Sequence, residues 1–407
     1  MKRVVVTGAA GICPLGSDWP TIQANLASGK NCVRYMEDWD KYEGLNNRLA
    51  APVVDFELPA HYTRKRTRSM GRVSKLSVRA TELALEASGL DQHPSLKNGD
   101  TGVSYGSATG STDAALEFAK LLVDYTTKAM TATTYVRMMS HTAAVNIGVF
   151  FGAKGRLIPT SSACTAGSQG IGYAYEAIAW GKQKCMIAGG AEELCPTEST
   201  VFDVLYATTN RNDEPHLTPR PFDRDRDGLV IGEGACSLIL EEYEHAKSRG
   251  APMLAEIVGF GTNTDGSHVT RPHQPTMARA LTLALEDAGL NGADIGYVSA
   301  HGTATEHGDI AESNATLEAL GQAVPISSQK SYIGHSLGAC GSLESWFAIE
   351  MMNSGWYAPT VNLDNVDPRC AELDYIRGEG RQMQNEFVMN NNFAFGGINT
   401  SLIFKRI

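Results

Sequence analysis

The sequence predicts an α/β protein made of two related halves. Residues 80–90 read ATELALEASGL and residues 280–290 read ALTLALEDAGL, so seven of eleven positions agree. In both segments apolar residues recur at helical spacing, and a glycine suited to a left-handed cap ends the helix. Strand-like runs ending in glycine loops flank both helices in the same order, at 2–11, 101–110, 254–266 and 296–305. This alternation predicts largely parallel sheets covered by helices, with functional loops at the strand ends.

The duplication also predicts where the chain divides. At 407 residues the chain is longer than a single hydrophobic core usually is. We expect an N-terminal half over residues 1–255 and a C-terminal half over residues 256–407. Because no flexible linker is evident at that point, the two halves are expected to pack as one rigid body.

Composition indicates an ordinary soluble protein. Hydrophobic residues make up 43% of the chain and charged residues 20%. Gly8 and Gly11 interrupt the apolar run at the start far short of a signal peptide or membrane span, so we expect a cytoplasmic protein with no membrane segment. The eight cysteines show no CxxC pair and no zinc-ligand spacing, which favours reduced thiols.

Charge excludes one class of partner and leaves room for another. The formal net charge of −10 argues against nucleic acid, because phosphate binding needs a positive face. Residues 61–79, in contrast, carry seven Arg and Lys residues and no acid. This basic segment is either a solvated helix start or a surface for an acidic partner.

Two further motifs resemble signatures of nicotinamide-dependent enzymes. TGAAGI at residues 7–12 lacks the full GxGxxG pattern of a dinucleotide-binding turn. Tyr243 and Lys247 have the YxxxK spacing of short-chain dehydrogenases, but they follow an acidic pair in what reads as an exposed helix. Neither motif supports a nicotinamide enzyme.

Cys164 lies where a strand-like run meets a helix, in TSSACTAGSQG (160–170). A lone cysteine is often a small buried hydrophobe. At a helix N-terminus, however, the unpaired N–H groups and the helix dipole favour a thiolate and lower the thiol pKa. The position therefore suits a nucleophile.

The second half supplies possible partners for that thiol. His301 and His335 both lie in glycine-rich loops just after predicted strands, and neither has the spacing of a metal motif. Phe395 lies in a late glycine turn, FAFGGIN, where backbone N–H groups can be exposed beside a bulky apolar gate. Taken singly, each histidine reads as a loop residue whose hydrogen bonds are satisfied locally, and the turn reads as a glycine-rich hairpin. Together they indicate a catalytic site.

The combined motifs resemble those of β-ketoacyl-acyl-carrier-protein synthases, the elongating condensing enzymes of fatty acid and type II polyketide synthesis. TSSACTAG, HGTATEHGD (301–309), KSYIGHSLGACG (330–341) and FGGIN (395–399) match in order and approximate spacing, and AGGAEEL (188–194) and RPFDRDRDGLVIGEG (220–234) agree. The resemblance covers essentially the whole chain. It implies the thiolase fold, in which duplicated halves form a five-layered α/β/α/β/α structure that is usually a dimer.

The resemblance also implies roles for named residues. Cys164 carries the acyl group, and its backbone N–H and that of Phe395 form the oxyanion hole, with Phe395 also acting as a gate. His301 and His335 stabilise the enolate formed when malonyl thioester loses CO₂, with Lys330 near them and Glu312 as the acid that pairs with Lys330. Thr303 and Thr305 bind the pantetheine arm. No metal or other cofactor is implied, because the substrates are carried on the phosphopantetheine of acyl carrier protein.

By the same resemblance, the carrier protein docks on basic residues, namely Arg64, Lys65, Arg68 and Arg211. The chain departs from common members of the family at Ala394 and Ile398, in AFGGIN, and at Ala304 and Glu306. Ala394 is expected to stiffen a loop that must open, because alanine restricts the backbone freedom of glycine. These departures leave the length of the acyl chain undecided. They also leave open whether the pathway is primary fatty acid synthesis or polyene or polyketide synthesis.

Two alternatives to an active ketosynthase follow from the same motifs. A chain-length-factor-type partner subunit would be non-catalytic and would form a heterodimer, but such partners typically lack the nucleophile that Cys164 supplies. A thiolase acting on coenzyme A is disfavoured by the two histidines and the lysine. Whether the protein is a homodimer or a heterodimer stays open at this point.

Overall fold

The computed structural model describes residues 1–128 and 130–407, which form one eleven-stranded sheet, two small sheets of two and three strands, and the helices that pack on them. The strands are β1 Val4–Ile12, β2 Arg34–Tyr35, β3 Leu49–Ala51, β4 Thr101–Gly106, β5 Leu157–Pro159, β6 Cys185–Glu192, β7 Ile231–Gly232, β8 Gly234–Glu242, β9 Ala255–Thr264, β10 Ile295–Ser299, β11 Pro325–Ser327, β12 Trp356–Tyr357, β13 Asp374–Tyr375, β14 Arg381–Gln382, β15 Phe387–Ala394 and β16 Ile398–Lys405. The helices are α1 Trp19–Ala27, α2 Arg64–Thr67, α3 Arg72–Ser88, α4 Thr112–Asp124, α5 Ala132–Met138, α6 Thr142–Phe151, α7 Ala166–Ala179, α8 Pro196–Asp203, α9 Tyr243–Ser248, α10 Gln274–Ala288, α11 Glu306–Leu320, α12 Lys330–Ile333 and α13 Cys340–Ser354.

The large sheet has a repeated strand order. From its centre outwards, one side runs β1-β8-β6-β4-β5 and the other runs β9-β16-β15-β10-β11-β13. The two sides join where β1 pairs with β9, for example Val4 with Ile257. Corresponding strands on the two sides pair in the same sense, so the predicted duplication is confirmed.

The expectation of largely parallel sheets is only partly right. The outer strands β4, β5 and β6 pair in parallel, as do β10, β11 and β15. Nearer the centre, β8 is antiparallel to β1 and β6, and β16 is antiparallel to β9 and β15. The cause is local for β16, because a tight hairpin rather than a helical crossover connects β15 to it.

The helices form three layers, one outside each half of the large sheet and one between the two halves. α3 and α10 lie on the outside, and both end at the predicted glycines, Gly89 and Gly289, each with a left-handed φ of 66°. α7 and α13 lie between the two sides and are buried on almost every face. Such burial requires helices that are mostly apolar or small, and both sequences satisfy this apart from Gln169 and Glu176 in α7 and Glu344, Glu350 and Asn353 in α13. The predicted five-layered arrangement is confirmed.

The two central helices begin with the same backbone feature. A single 3₁₀ turn, Ala163–Thr165 before α7 and Leu337–Ala339 before α13, leads into each helix. Its first residue has a positive φ, 50° at Ala163 and 44° at Leu337, which is rare for residues other than glycine. Each half therefore contains an elbow that projects the next residue, Cys164 in one and Gly338 in the other.

The predictions drawn from composition also have an outcome. The eight cysteines are free thiols, as predicted. Within the described ranges, no helix combines the length and apolar character needed to cross a membrane. The division at residue 255 and the roles of the two halves stay predictions.

Candidate active site

Cys164 is buried at the elbow that leads into α7, with its sulfur facing residues from the other half. The sulfur lies 3.0 Å from Nε2 of His335. The backbone N–H groups of Phe395 and of Cys164 itself lie close enough to the sulfur to act against a rise in the thiol pKa. These are the two N–H groups predicted for the oxyanion hole, and they converge on the atom that would carry an acyl group.

The thiol is not the ready thiolate that its position at a helix N-terminus predicts. Burial raises the pKa of Cys164 to about 11, although Lys330 and the two backbone N–H groups oppose that rise. In this apolar surrounding the loss of hydration outweighs the favourable dipoles. The predicted lowering of the pKa is therefore wrong for the resting site, and the thiol is neutral there.

His301 and His335 face each other beside the sulfur. Their ring centroids are 5.1 Å apart and their planes are nearly perpendicular, at 89°. Burial, together with the charge of Lys330, holds the pKa of both imidazoles well below the usual range. Both histidines are therefore neutral at physiological pH.

Hydrogen bonds select the tautomer of each neutral ring. Nδ1 of His335 accepts the backbone N–H of Leu337 at 3.3 Å. Nδ1 of His301 lies 3.2 Å from Nζ of Lys330, whose ammonium group can only donate. Each proton is thereby placed on Nε2, so both rings present N–H donors to the site.

The same tautomers bear on the question of a metal. A sulfur and two imidazole nitrogens, from Cys164, His301 and His335, lie within 4.8 Å of one another. A metal ion binds a nitrogen lone pair, and protonated Nε2 atoms offer none. Moving the protons to Nδ1 would set them against the N–H of Leu337 and the ammonium of Lys330. The donor set does not fit a metal ion.

Lys330 is paired with Glu344 and not with Glu312, which corrects the prediction. Nζ of Lys330 donates to Oε1 of Glu344 in a buried ion pair, and Oε2 of Glu344 accepts from Nδ2 of Asn392 at 2.7 Å. Burial acts to lower the pKa of Lys330. The influence of Cys340 and Glu344 outweighs that of burial and raises this pKa. Glu344 is fourteen residues after Lys330, on α13, which brings its carboxylate back to the lysine.

Glu312 has another position in the site. Its two carboxylate oxygens accept the backbone N–H groups of His301 and Gly302, each at 2.6 Å. Burial raises the pKa of Glu312 to about 8. The residue therefore orients the His301 loop, and its sequence position, three residues after Asp309 on α11, did not reveal this.

A cavity of about 470 Å³ is lined by Cys164, His301 and His335 and also by exposed side chains such as Tyr206, so it reaches the surface. Thr303 and Thr305 line it with hydroxyls 2.9 Å apart, so both can contact a polar chain that enters. Phe395 also lines the cavity, and its ring centroid is 4.9 Å from that of Phe202. This places a bulky side chain beside Cys164, as a gate requires.

The glycine turn forms the hairpin that joins β15 to β16. Gly396 and Gly397 have φ values of 88° and 69°, which favour glycine. Ala394 is the last residue of β15 and has no left-handed backbone, so alanine fits there without strain. Any stiffening by Ala394 would therefore concern other conformations of the turn.

The residues predicted to dock a carrier protein differ in exposure. Arg64, Lys65 and Arg68 are exposed on and just after α2. Arg211 is half-buried and is engaged by the carbonyl of Asp225 and by two carboxylates, those of Glu214 and Asp227. None of the four lines the cavity. Their docking role stays a prediction.

Sequence reasoning missed Glu344 and Asn392. Both carried a signal, because an acid in the apolar helix CGSLESWFAIEMM and three consecutive asparagines in a strand are unusual in a buried core. A buried charge or amide needs a partner, and these two are partners of each other and of the His301–Lys330 pair. Their distance in sequence from Lys330 concealed the link.

Comparisons with known proteins give relatives that match the whole chain. Residues 1–246 match the family described as "Beta-ketoacyl synthase, N-terminal domain", and residues 254–364 match "Beta-ketoacyl synthase, C-terminal domain". The 3-oxoacyl-[acyl-carrier-protein] synthase 2 of Vibrio cholerae is 37% identical over 100% of this chain and 99% of its own. A β-ketoacyl synthase structure from Burkholderia phymatum is 60% identical with full coverage of both chains and a TM-score of 0.99. A chain in a structure of a type II polyketide acyl carrier protein in complex with its ketosynthase is 30% identical, over 100% of this chain and 99% of that one, with a TM-score of 0.88.

Proposed function

Because the chain belongs to the β-ketoacyl synthase family, we propose that Cys164, His301 and His335 catalyse its condensation reaction at the cavity described above. The protein is an acyltransferase that joins an acyl group to malonyl-acyl carrier protein and forms 3-oxoacyl-acyl carrier protein. The observation that carries the assignment of residues is the convergence of two Nε2–H groups and two backbone N–H groups around one buried thiol.

The first step transfers an acyl group to Cys164. The sulfur attacks the thioester carbonyl, and the negative oxygen is held by the backbone N–H groups of Cys164 and Phe395. The carbon–sulfur bond to the carrier then breaks, and the proton lost by Cys164 ends on the departing pantetheine thiol. A covalent intermediate divides the overall reaction into two easier steps.

The second step generates the carbon nucleophile. Malonyl thioester loses CO₂, and the electron pair of the broken C–C bond moves into an enolate. His301 and His335 donate their Nε2 protons in hydrogen bonds to the enolate oxygen. Because both rings are neutral, they stabilise this charge without giving up a proton.

The third step forms the product. The enolate carbon attacks the acyl carbonyl on Cys164, and the same two backbone N–H groups again hold the negative oxygen. The carbon–sulfur bond breaks, the 3-oxoacyl chain leaves on the carrier, and the Cys164 thiolate takes up one proton. In none of these steps do Cys164, His301 or His335 act as metal ligands.

Purified protein supplied with acyl- and malonyl-acyl carrier protein tests the proposal. We expect 3-oxoacyl-acyl carrier protein and CO₂ in equal amounts, measured by mass spectrometry and CO₂ release. Cys164→Ala should abolish condensation and retain malonyl decarboxylation, because the histidines that stabilise the enolate remain. Condensation by that variant would overturn the assignment of the nucleophile. Screening acyl chains of different length and saturation would place the protein in fatty acid or polyene and polyketide elongation.

The alternative hypothesis, that this chain is a non-catalytic partner subunit of a heterodimer, is not favoured. The nucleophile, both histidines, Lys330 and the oxyanion-hole N–H groups are all assembled in one chain. Absence of product with every acyl length, with Cys164 reduced and a second ketosynthase-like subunit supplied, would favour the partner reading instead.

A further inference from the structure

Apolar side chains surround part of the cavity mouth and are exposed there. Leu205, Tyr206 and Val269 line the cavity, and they are 46%, 90% and 70% exposed. Val204, next to Leu205 at the end of α8, is 66% exposed. We call these four residues the mouth patch. Single exposed apolar residues are normal, but a group of them at the opening of a functional cavity marks an interaction surface.

Tyr206 adds an independent observation. Its φ is 54°, a left-handed conformation that favours glycine over tyrosine. It follows α8, where its N–H donates to the carbonyl of Asp203 at 2.9 Å and the next N–H, of Ala207, donates to the carbonyl of Phe202 at 3.0 Å. A helix end of this kind usually has glycine. The ring, almost fully exposed, contributes little packing within the chain to offset this strain.

We propose that the mouth patch is the docking surface for the carrier protein and that this contact is mainly apolar. The inference rests on the proposed function, because it takes the substrate to be a thioester tethered to a carrier. A tethered acyl group can reach Cys164 through this mouth, since Cys164 lines the same cavity as Leu205, Tyr206 and Val269. The carrier surface around the tether must therefore lie against these side chains, and an apolar surface on the carrier would match them.

This proposal differs from docking through charge alone. The basic residues Arg64, Lys65 and Arg68 do not line the cavity, so they can attract an acidic carrier but do not border the point where the arm enters. Apolar contacts at the mouth would supply short-range affinity after that attraction. The two contributions respond differently to salt, because ions screen charges and leave apolar contacts intact.

Kinetics with two forms of one substrate test the mouth patch. The variants are Tyr206→Gly, Val204→Ser and Val269→Ser. Each is assayed with malonyl thioester on the carrier protein and on free pantetheine, and binding of the intact pantetheine-bearing carrier is measured separately by calorimetry. The control is Trp180→Ser, because Trp180 is 68% exposed but lies at the end of α7 remote from Cys164.

We expect the ratio of KM on the carrier to KM on pantetheine to rise about five- to tenfold in Tyr206→Gly and less in the serine variants. The dissociation constant for the carrier should rise by a similar factor, and Trp180→Ser should change neither. The Tm of Tyr206→Gly should not fall, because glycine relieves the backbone strain. Raising the salt concentration should weaken carrier binding equally in wild type and variant.

Several results would overturn the inference. An unchanged KM ratio with unchanged carrier affinity would remove the docking role, and an equal loss on both substrates would indicate damage to the cavity. A change of mass in light scattering would show that a second copy of this chain covers the patch. A wild-type protein that binds carrier through these residues but makes no 3-oxoacyl product would refute the proposed function and leave this inference standing.

Discussion

At the scale of single residues, the site depends on neutral groups held in fixed orientations. The thiol has a raised pKa and both imidazoles have lowered ones, so no thiolate–imidazolium pair exists in the resting site. Cys164 must then lose its proton during acyl transfer, not before it. This distinguishes the site from cysteine hydrolases, where a charged His–Cys pair is already present.

The raised pKa of Cys164 predicts how alkylation depends on pH. The thiolate fraction should grow about tenfold per pH unit between pH 7 and pH 9, because a pKa of about 11 lies above that range. Iodoacetamide labelling of Cys164, followed by peptide mass spectrometry, should show this rise with no plateau. Cys164→Ser identifies any contribution from other thiols. A plateau at or below pH 8 would contradict the neutral thiol.

The ion pair of Lys330 predicts a positioning role for Glu344. In Glu344→Gln the buried ammonium loses its carboxylate, the pKa of Lys330 falls, and a neutral lysine no longer fixes the His301 tautomer. Malonyl decarboxylation should fall at least about tenfold, as when a residue that orients a catalytic group is lost, while acylation of Cys164 is largely retained.

Glu350→Gln is the matched control for Glu344→Gln. Glu350 is on the same helix, and its carboxylate accepts from Nε1 of Trp346 at 3.1 Å, with no contact to Lys330. Decarboxylation by this variant should stay within about twofold of wild type. Equal losses in both variants, or equal losses of acylation and decarboxylation in Glu344→Gln, would refute the specific role of Glu344.

At the scale of elements, the start of α7 and the start of α13 pack against each other without side chains between them. A Cβ on Gly167 would lie 2.8 Å from the backbone nitrogen of Ser342, and one on Gly341 would lie 2.7 Å from that of Ser168. The contacts are reciprocal, as expected for two helices related by the duplication. This approach brings the Cys164 elbow and the His335 elbow to one place.

Gly167→Ala should therefore destabilise the protein. Overfilling a packed contact costs about 1–3 kcal/mol, and the added methyl would also displace the Cys164 elbow. Calorimetric unfolding and condensation rate measure the two effects. Gly148→Ala in α6 is the control, because its Cβ would meet only Leu157 at 3.6 Å, and removing a helical glycine should stabilise by up to about 1 kcal/mol. Similar stability changes in the two variants would contradict this packing argument.

Elements were predictable where a local pattern determines them. The repeated helices α3 and α10 and their glycine caps follow from apolar spacing, which depends on neighbours in sequence. The antiparallel β8 and β16 and the Lys330–Glu344 pair were not predictable, because each depends on which distant segments meet. Glu344 shares α13 with residues that only pack, and sequence alone does not separate their roles.

At the scale of the whole molecule, the sheet has an unpaired edge at β5. Apolar side chains are exposed on and near that edge, with Val149 at 77% and Leu157 at 43%. More such residues lie on or beside α4 and α5, namely Leu116, Leu122, Val123, Tyr125 and Tyr135. An open edge beside apolar surface promotes pairing with another chain.

We therefore expect a dimer that meets along β5. Light scattering of the purified protein should give twice the mass of one chain. The double variant Val149→Lys with Leu157→Lys should give monomer, because two like charges would face each other across a twofold interface. Trp180→Lys, at a site elsewhere that is 68% exposed, should stay dimeric. A monomeric wild type, or a dimeric double variant, would refute this interface.

The paired elbows limit how much substrate one chain can hold. Gly338 occupies the position that matches Cys164, but a Cβ there would lie 2.9 Å from the backbone nitrogen of Ala108 and 2.9 Å from Oε2 of Glu192. The second elbow thus has no room for a second nucleophile, so we expect each chain to store one acyl group at most, on Cys164. Loading and extension then alternate at Cys164, so each carrier can also bind the enzyme form that reacts with the other, and we expect ping-pong kinetics with mutual substrate inhibition.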